Sequence, residues 1–472
     1  MKQVFCWLAA GFLSLFTMVQ AMTLTPITDQ QYQQYQQSGL DKPQLTYSDI
    51  APILAEHGKN ALFSFTQIGQ SVQGTPIWQI DIGTGETRVL AWSQMHGDES
   101  TATAALMDFL NFIAADEQAD WRQQWLSKVQ LRIIPMLNPD GAAAGNRLNA
   151  MGIDINRDAK ALQTPEGRLL MQAAKQFKAQ FALNLHDQNR FYSVGDSDKT
   201  TTISLLAPAF NVSKDIDATR HKAMQLIGDM HDLVQQQLPG YLGKYNDTYS
   251  VRSFGDTFAG MGMSTVLIES GAYPKDDNRQ VARKLNAQLL IMSVQSIGSQ
   301  AYAKQSLDTY HAIPFNRSDA IKDVLVNNLT ITVAKQQAQV DLALEFKSPQ
   351  HAVITEVGDL CINSAYHQFD ATGLSYQQGK AYKLTAALTL DNARFIELMR
   401  QGYSHFSGDA ALLSQQTEFP VLVNPRGLAK QAPQRHHGAT FLLANEKGVQ
   451  FAMLAGQLVN LSTGQVMYPR GT

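Results

Sequence analysis

Four side chains far apart in this sequence are of the types that hold and use a metal ion. His96 and Glu99 stand three residues apart in HGDE, inside the stretch LAWSQMHGDESTATAALMDFLNF at residues 90–112. The apolar run before His96 reads as a strand, Gly97 as a turn, and the residues from Ser100 as a helix. Across such a turn an imidazole and a carboxylate can converge on one point. That is half of a zinc site, because zinc takes nitrogen and oxygen ligands in a near-tetrahedral shell. Alone, the tetrapeptide is more often a solvated pair. His186 closes the apolar run LNLHD, where an unpaired imidazole would be costly. It is either a third ligand or a structural histidine bonded to a backbone carbonyl. Glu269 closes TVLIESG in the same way, as a buried ion-paired carboxylate or as a general base beside a metal. His221 and His231 lie on a polar helix and His436 and His437 in a turn, where solvation is the simpler reading.

Between HGDE and His186 runs NPDGAAAGNRLNAMGIDINRD, carrying Arg147, Asp154, Asn156 and Arg157. Guanidinium forks grip a carboxylate at two points. The loop therefore suits a carboxylate receptor, although an ordinary Asn-Pro-Asp-Gly turn with surface arginines fits its composition equally.

These residues need elements to bring them together. FSFTQIGQSVQGTPIWQIDIG is two alternating runs around Gly74, a hairpin. TRVLAWSQM, QLRIIPML, FALNLHD, TISLLAP and MSTVLIESG read as strands. Helices are expected at 47–56, from Ser100, and at 165–178, 215–237 and 278–299. Strands alternating with helices predict an α/β domain with a mixed, largely parallel sheet flanked by helices. In such sheets the working groups gather at strand ends, and His96, His186 and Glu269 are all placed there. From about residue 310 short alternating runs with turn residues between them predict a smaller β-rich C-terminal domain, a sandwich or a barrel.

The chain has 472 residues with 44% apolar and 17% charged side chains, enough for two or three domains with proper cores. A net charge of −3 argues against a nucleic-acid partner. Lys2, the apolar residues 4–19 and a small residue at Ala21 read as a secretory signal. The apolar stretch is short for a span of roughly 20 residues, so cleavage without a stable membrane anchor is expected. Only Cys361 remains after cleavage, which precludes an intramolecular disulfide and suits a bacterial periplasm or medium. The boundaries expected are 1–21 for the signal peptide, 22–60 for an N-terminal arm with one short helix, 61–305 for the α/β domain and 315–472 for the β-rich domain.

The order HxxE, NPDG, Arg, DxNRD, strand-His, strand-Glu resembles the zinc metallocarboxypeptidase family of carboxypeptidase A type over about residues 60–300. The resemblance implies one Zn²⁺ per chain, held by His96, Glu99 and His186. It implies Glu269 as the catalytic base and Arg147 as the group that polarises the scissile carbonyl. Asn156 and Arg157 would hold the terminal carboxylate of a peptide or murein-peptide substrate. Asp154 would orient the first histidine. For the tyrosine that caps the substrate, Tyr249 fits best by its distance before FGDTF, with Tyr245 second, and Asp256 is the candidate for the pocket floor. Asp98 and Asp187 depart from the pancreatic-type pattern and add negative charge, which suggests a substrate bearing an amine. The implied activity is that of an exported zinc carboxypeptidase. A murein-peptide amidase or deacylase on the same scaffold, or a substrate-binding pseudoenzyme, are the alternatives.

Overall fold

The computed structural model describes residues 27–348, 350–429 and 431–467; the expected signal segment at 1–21 lies outside them. The predicted hairpin forms from β1 (Phe63–Gln70) and β2 (Pro76–Ile82), paired antiparallel. Then follow β3 (Thr87–Trp92), β4 (Val129–Ile134), β5 (Phe181–Asp187), β6 (Ser193–Val194), β7 (Ile203–Leu206), β8 (Leu242–Lys244) and β9 (Ser264–Ser270). All but β6 join one eight-stranded sheet in the order β1-β2-β4-β3-β5-β9-β7-β8. Its middle, β4, β3, β5 and β9, is parallel. These strands read as continuous apolar runs because helices cover both faces. Along β3 the faces alternate. Val89 and Ala91 pack into a large core with Leu106, Phe109, Trp125, Met224 and Leu289. Leu90 and Trp92 pack into a smaller one with Met171, Phe254 and Phe258.

The helices are α1 (Asp29–Tyr35), α2 (Tyr47–His57), α3 (Thr101–Ala114), α4 (Ala119–Leu126), α5 (Pro139–Ala144), α6 (Pro165–Phe177), α7 (Ala218–Gln237), α8 (Phe254–Gly260) and α9 (Gln280–Ser299). Capping sets several starts. The Thr164 hydroxyl accepts from Gly167 N with Pro165 in the first turn of α6, and the Asp217 carboxylate caps α7, which begins three residues later than its apolar pattern suggested.

The N-terminal arm is not the polar overhang its glutamines imply. It holds two helices, not one, and Tyr32 and Tyr35 of α1 are buried. The Tyr32 hydroxyl donates to Asp108 Oδ2 on α3 at 2.6 Å. Asp108 in turn pairs with Arg283 of α9 at 2.6 Å, both side chains only 1% exposed.

A second eight-stranded sheet follows, from Ile321–Val333 through Gly448–Leu454 to Gln457–Asn460. One face of it is covered by the helix Asn392–Arg400, with Leu384, Leu390, Phe406 and Phe419 around Phe395. The sheet curls round: its edge strand His351–Gly358 bonds back to residues 436–439, which lead into Phe441–Asn445, in the manner of the expected barrel. The two large sheets are stitched by β6 pairing antiparallel with Asn316–Arg317. Among the described residues no helix is long and apolar enough to cross a membrane.

Candidate active site

The parallel register places His186 on β5 directly beside Glu269 on β9. β3 ends at Trp92, four residues before His96, so His96 and Glu99 lie in the loop to α3 rather than on the strand. That loop is tightly held. Gln94, at φ 47, donates from its side-chain amide to Gly97 O and to Leu45 O of the arm. A Cβ on Gly97 would stand 2.0 Å from the backbone of Gly141, so the HGDE turn lies directly on the first turn of the NPDG helix α5 and only glycine fits.

The ligating atoms of His96, Glu99 and His186 all lie within 4.8 Å of one another, and all three residues are buried. His96 Nδ1 is 2.7 Å from Glu99 Oε1, His186 Nδ1 is 2.7 Å from Glu99 Oε2, and the two Nδ1 atoms are 3.2 Å apart. Asp154 Oδ1 lies 3.2 Å from His96 Nε2. With its proton on that nitrogen, His96 turns the bare lone pair of Nδ1 to the shared point. Two imidazole nitrogens and a carboxylate facing one another are the donor set zinc takes.

The electrostatics ask for a positive charge there. Burial lowers the His96 pKa, but the charge of Glu99 and the bonds to Asp154 and Glu99 outweigh it and raise it to about 9. His186 moves down instead, because it is buried and beside His96. Burial raises Glu99, yet the two histidines hold it well below the usual carboxylate range. Glu269 is pushed well above that range, first by burial and then by the Glu99 charge. A cation in the cluster acts on Glu269 in the opposite sense.

Arg147 reaches the cluster from outside. Its Nε and Nη2 each donate to Asp154 Oδ2 at 3.1 Å, and Nη1 lies 3.2 Å from Glu99 Oε1. Asp154 is consequently held low despite its partial burial, by His96 and then by the two arginines. Around these groups opens a cavity of about 720 Å³. Asn156, Arg157 and Asp256 line it. The Asn156 side chain accepts from Phe254 N at 3.0 Å, which ties the loop to α8. Asp256 accepts from Ser250 N and Ser253 Oγ at 2.7 Å each, so both its oxygens are already engaged.

Tyr249 is not brought to the cavity. Its neighbours Thr248 and Ser250 line the wall, and the tyrosines that face inward are Tyr245 and Tyr192, with ring centroids 6.0 Å apart. The correction has a simple cause: residues 246–250 carry no regular structure, so spacing along the chain does not say which ring turns in. Burial, then the charge of Glu269, drives the Tyr245 pKa upward. Of the two acidic departures, Asp98 and Asp187 both line the cavity. Asp187 is engaged elsewhere, accepting from Thr101 N and Oγ1, with Arg279 at 3.7 Å. Tyr192, Gln188, Arg279, Asn316 and Ser318 also line the cavity without having been singled out in the sequence. They sit in loops and a linker with no local pattern to mark them.

A model of the zinc carboxypeptidase family matches residues 55–336. Carboxypeptidase SOL1 of Arabidopsis thaliana is 30% identical over 128 residues, 25% of this chain and 26% of that protein. A cytosolic carboxypeptidase-like protein 5 of Danio rerio is 37% identical over 76 residues, 16% of this chain and 8% of the relative. The aligned segments thus span about a quarter or less of these relatives. A metallo-carboxypeptidase from Pseudomonas aeruginosa superposes with a TM-score of 0.43 at 17% identity, over 54% of this chain and 70% of its own. A Burkholderia cenocepacia metallo-carboxypeptidase gives 0.45 at 16%, over 55% and 70%. The family match runs through the HGDE loop, the NPDG loop and both strand ends that carry His186 and Glu269, and by it this chain belongs to the zinc carboxypeptidases.

Proposed function

We propose that the protein is an exported zinc carboxypeptidase that hydrolyses the C-terminal peptide bond of peptides. The convergence of His96, Glu99 and His186 beside Glu269 carries this reading. His96, Glu99 and His186 would hold the ion, which when bound lowers the pKa of water and polarises a carbonyl. Glu269, protected from bulk water, takes the proton of the attacking water and returns one to the leaving amine. Arg147, anchored on Asp154, donates hydrogen bonds toward the carbonyl oxygen as it gains charge. Asp154 keeps the His96 ring oriented. Asn156 and Arg157 receive the terminal carboxylate, which restricts cutting to a chain end because an internal residue offers none. Tyr245, in place of Tyr249, covers the bound residue.

Asp98 on the cavity wall favours a terminal residue that carries an amine, such as lysine or diaminopimelate. Export rests on the leader at residues 1–21 and places the substrate in the periplasm or medium.

Hydrolysis profiling of a peptide library, with products identified by mass and zinc content measured on the same sample, tests the assignment. Release of single C-terminal residues, Lys faster than Phe, is expected. Internal cleavage or no peptide hydrolysis would reject the function, and faster Phe release would reject the amine preference alone.

A further inference from the structure

The cavity lining falls into two groups joined by their own contacts. One is Asn156, Arg157, Ser253 and Asp256, bound together through the start of α8. The other is Gln188, Tyr192, Asn316 and Ser318, gathered where the linker between the two large sheets runs along the loop after β5. In an enzyme that cuts at a chain end, the leaving residue occupies the first group. The remainder of the peptide must then lie against the second.

We propose that the inter-sheet linker, through Asn316 and Ser318, is the subsite for peptide residues preceding the scissile bond, and that the docked β-rich region makes the protein selective for short peptides. This rests on the peptidase reading above.

The linker is built as a wall. Asn316 Nδ2 donates to Gln188 Oε1 at 2.8 Å and to Ser204 Oγ at 2.6 Å. A Cβ on Gly243 would come within 2.1 Å of Asn316 Oδ1, so only a glycine lets the linker lie this close to β8. Backbone bonds hold both its ends: Lys244 N donates to Pro314 O at 2.7 Å, and Ile321 N to Phe191 O at 3.1 Å. Behind it, Arg190 pairs with Asp323 of the second sheet at 2.6 Å, and the Tyr366 hydroxyl donates to Arg190 O at 2.8 Å. These contacts fix the loop that presents Tyr192 to Tyr245. Ser318, by contrast, is exposed on the lining and open to a ligand. The cavity volume falls within the roughly 300–1,000 Å³ of small-molecule sites. That is room for a peptide of a few residues, whose far end meets the linker.

The test labels Ser318. The full chain carrying Ser318→Cys, with Cys6→Ser and Cys361→Ser to remove both native thiols and Glu269→Gln to prevent turnover, is incubated with zinc and alkylated with iodoacetamide. Calorimetry supplies the Kd of di-alanine and tetra-alanine for the same protein. At a concentration about ten times its Kd, tetra-alanine is expected to slow alkylation about tenfold, and di-alanine to leave the rate unchanged. Equal protection by both peptides, or binding of tetra-alanine without protection, overturns the subsite and leaves the peptidase reading standing. Failure of both peptides to bind overturns both.

Discussion

In the sheet built from β1–β5 and β7–β9, two neighbouring buried parallel strands carry titratable side chains at their C-terminal ends: β5 in His186 and Asp187, β9 in Glu269 just before its last residue. In the sheet from Ile321–Val333 to Gln457–Asn460, the buried strand residues are mainly aliphatic or aromatic; the charged exceptions Lys322 and Asp323 are spent on ion pairs with Glu356 and Arg190, and other polar ends on turns. Thr372 and Asn328 close on Asp370, and Ser462 on Asn460, all at the surface. Parallel strands put several C-terminal ends on one edge, where side chains from distant positions can meet. Antiparallel hairpins return at each end and give such groups to the loop. The difference predicts that chemistry is concentrated in the first sheet, and that the second acts by shape and support.

The sharpest way to break that contrast is Glu269→Gln. We expect kcat to fall by about 10²–10⁴-fold, with zinc content and fold retained; metal analysis and steady-state kinetics together decide it. Normal turnover would move the proton-transfer step elsewhere.

Next come two ion pairs that share a chemistry and differ in setting. Asp108→Ala strands the Arg283 guanidinium, 1% exposed, against α1 and α3 and should cost about 3–5 kcal/mol in urea unfolding. In the pair of Arg190 with Asp323 the guanidinium is 39% exposed and the carboxylate buried but also held by Phe346 N, so Arg190→Ala should cost less, about 1–3 kcal/mol. Equal costs would show that the two sheets are fastened more strongly than the exposure of Arg190 suggests.

The smallest effect concerns pH. His57 closes α2 against Phe63, and burial holds its pKa below the ordinary 6.5, with the Asn111 bond and the Glu56 charge opposing. As pH drops through 6.5, the unfolded chain takes up a proton that the folded one does not. Stability is therefore complete above that value and declines below it until the folded pKa is passed. His57→Gln should lose less stability than wild type between neutral and mildly acidic pH, measured by denaturant midpoints; a parallel loss would remove His57 from the account.

The catalytic sheet was readable in advance because its strands are long apolar runs with abrupt polar ends. His96, His186 and Glu269 stand out for that reason. α1 was not read, since DQQYQQY has no aliphatic stripe; its signal was Tyr32 and Tyr35 three residues apart on one helical face. The error over Tyr249 and the silence over Asn316 share a different cause. Both lie where position depends on partners distant in sequence, Tyr192 for the inward-facing Tyr245, and Gln188 and Ser204 for Asn316. No local propensity encodes such contacts. The second sheet was legible as β-rich from its alternation, but the helix Asn392–Arg400 that covers one of its faces was not, because the strand-seeking pattern passed over its apolar face.

The arm residues Gln44 and Leu45 grip the molecule at two places at once, Gln44 Nε2 on Ala142 O at 2.6 Å and Leu45 O on the amide of Gln94. Losing the chain up to Leu45 would take away the brace that keeps the HGDE loop seated on α5. A segment outside the catalytic sheet thus decides how steadily His96 and Glu99 are held in register with His186.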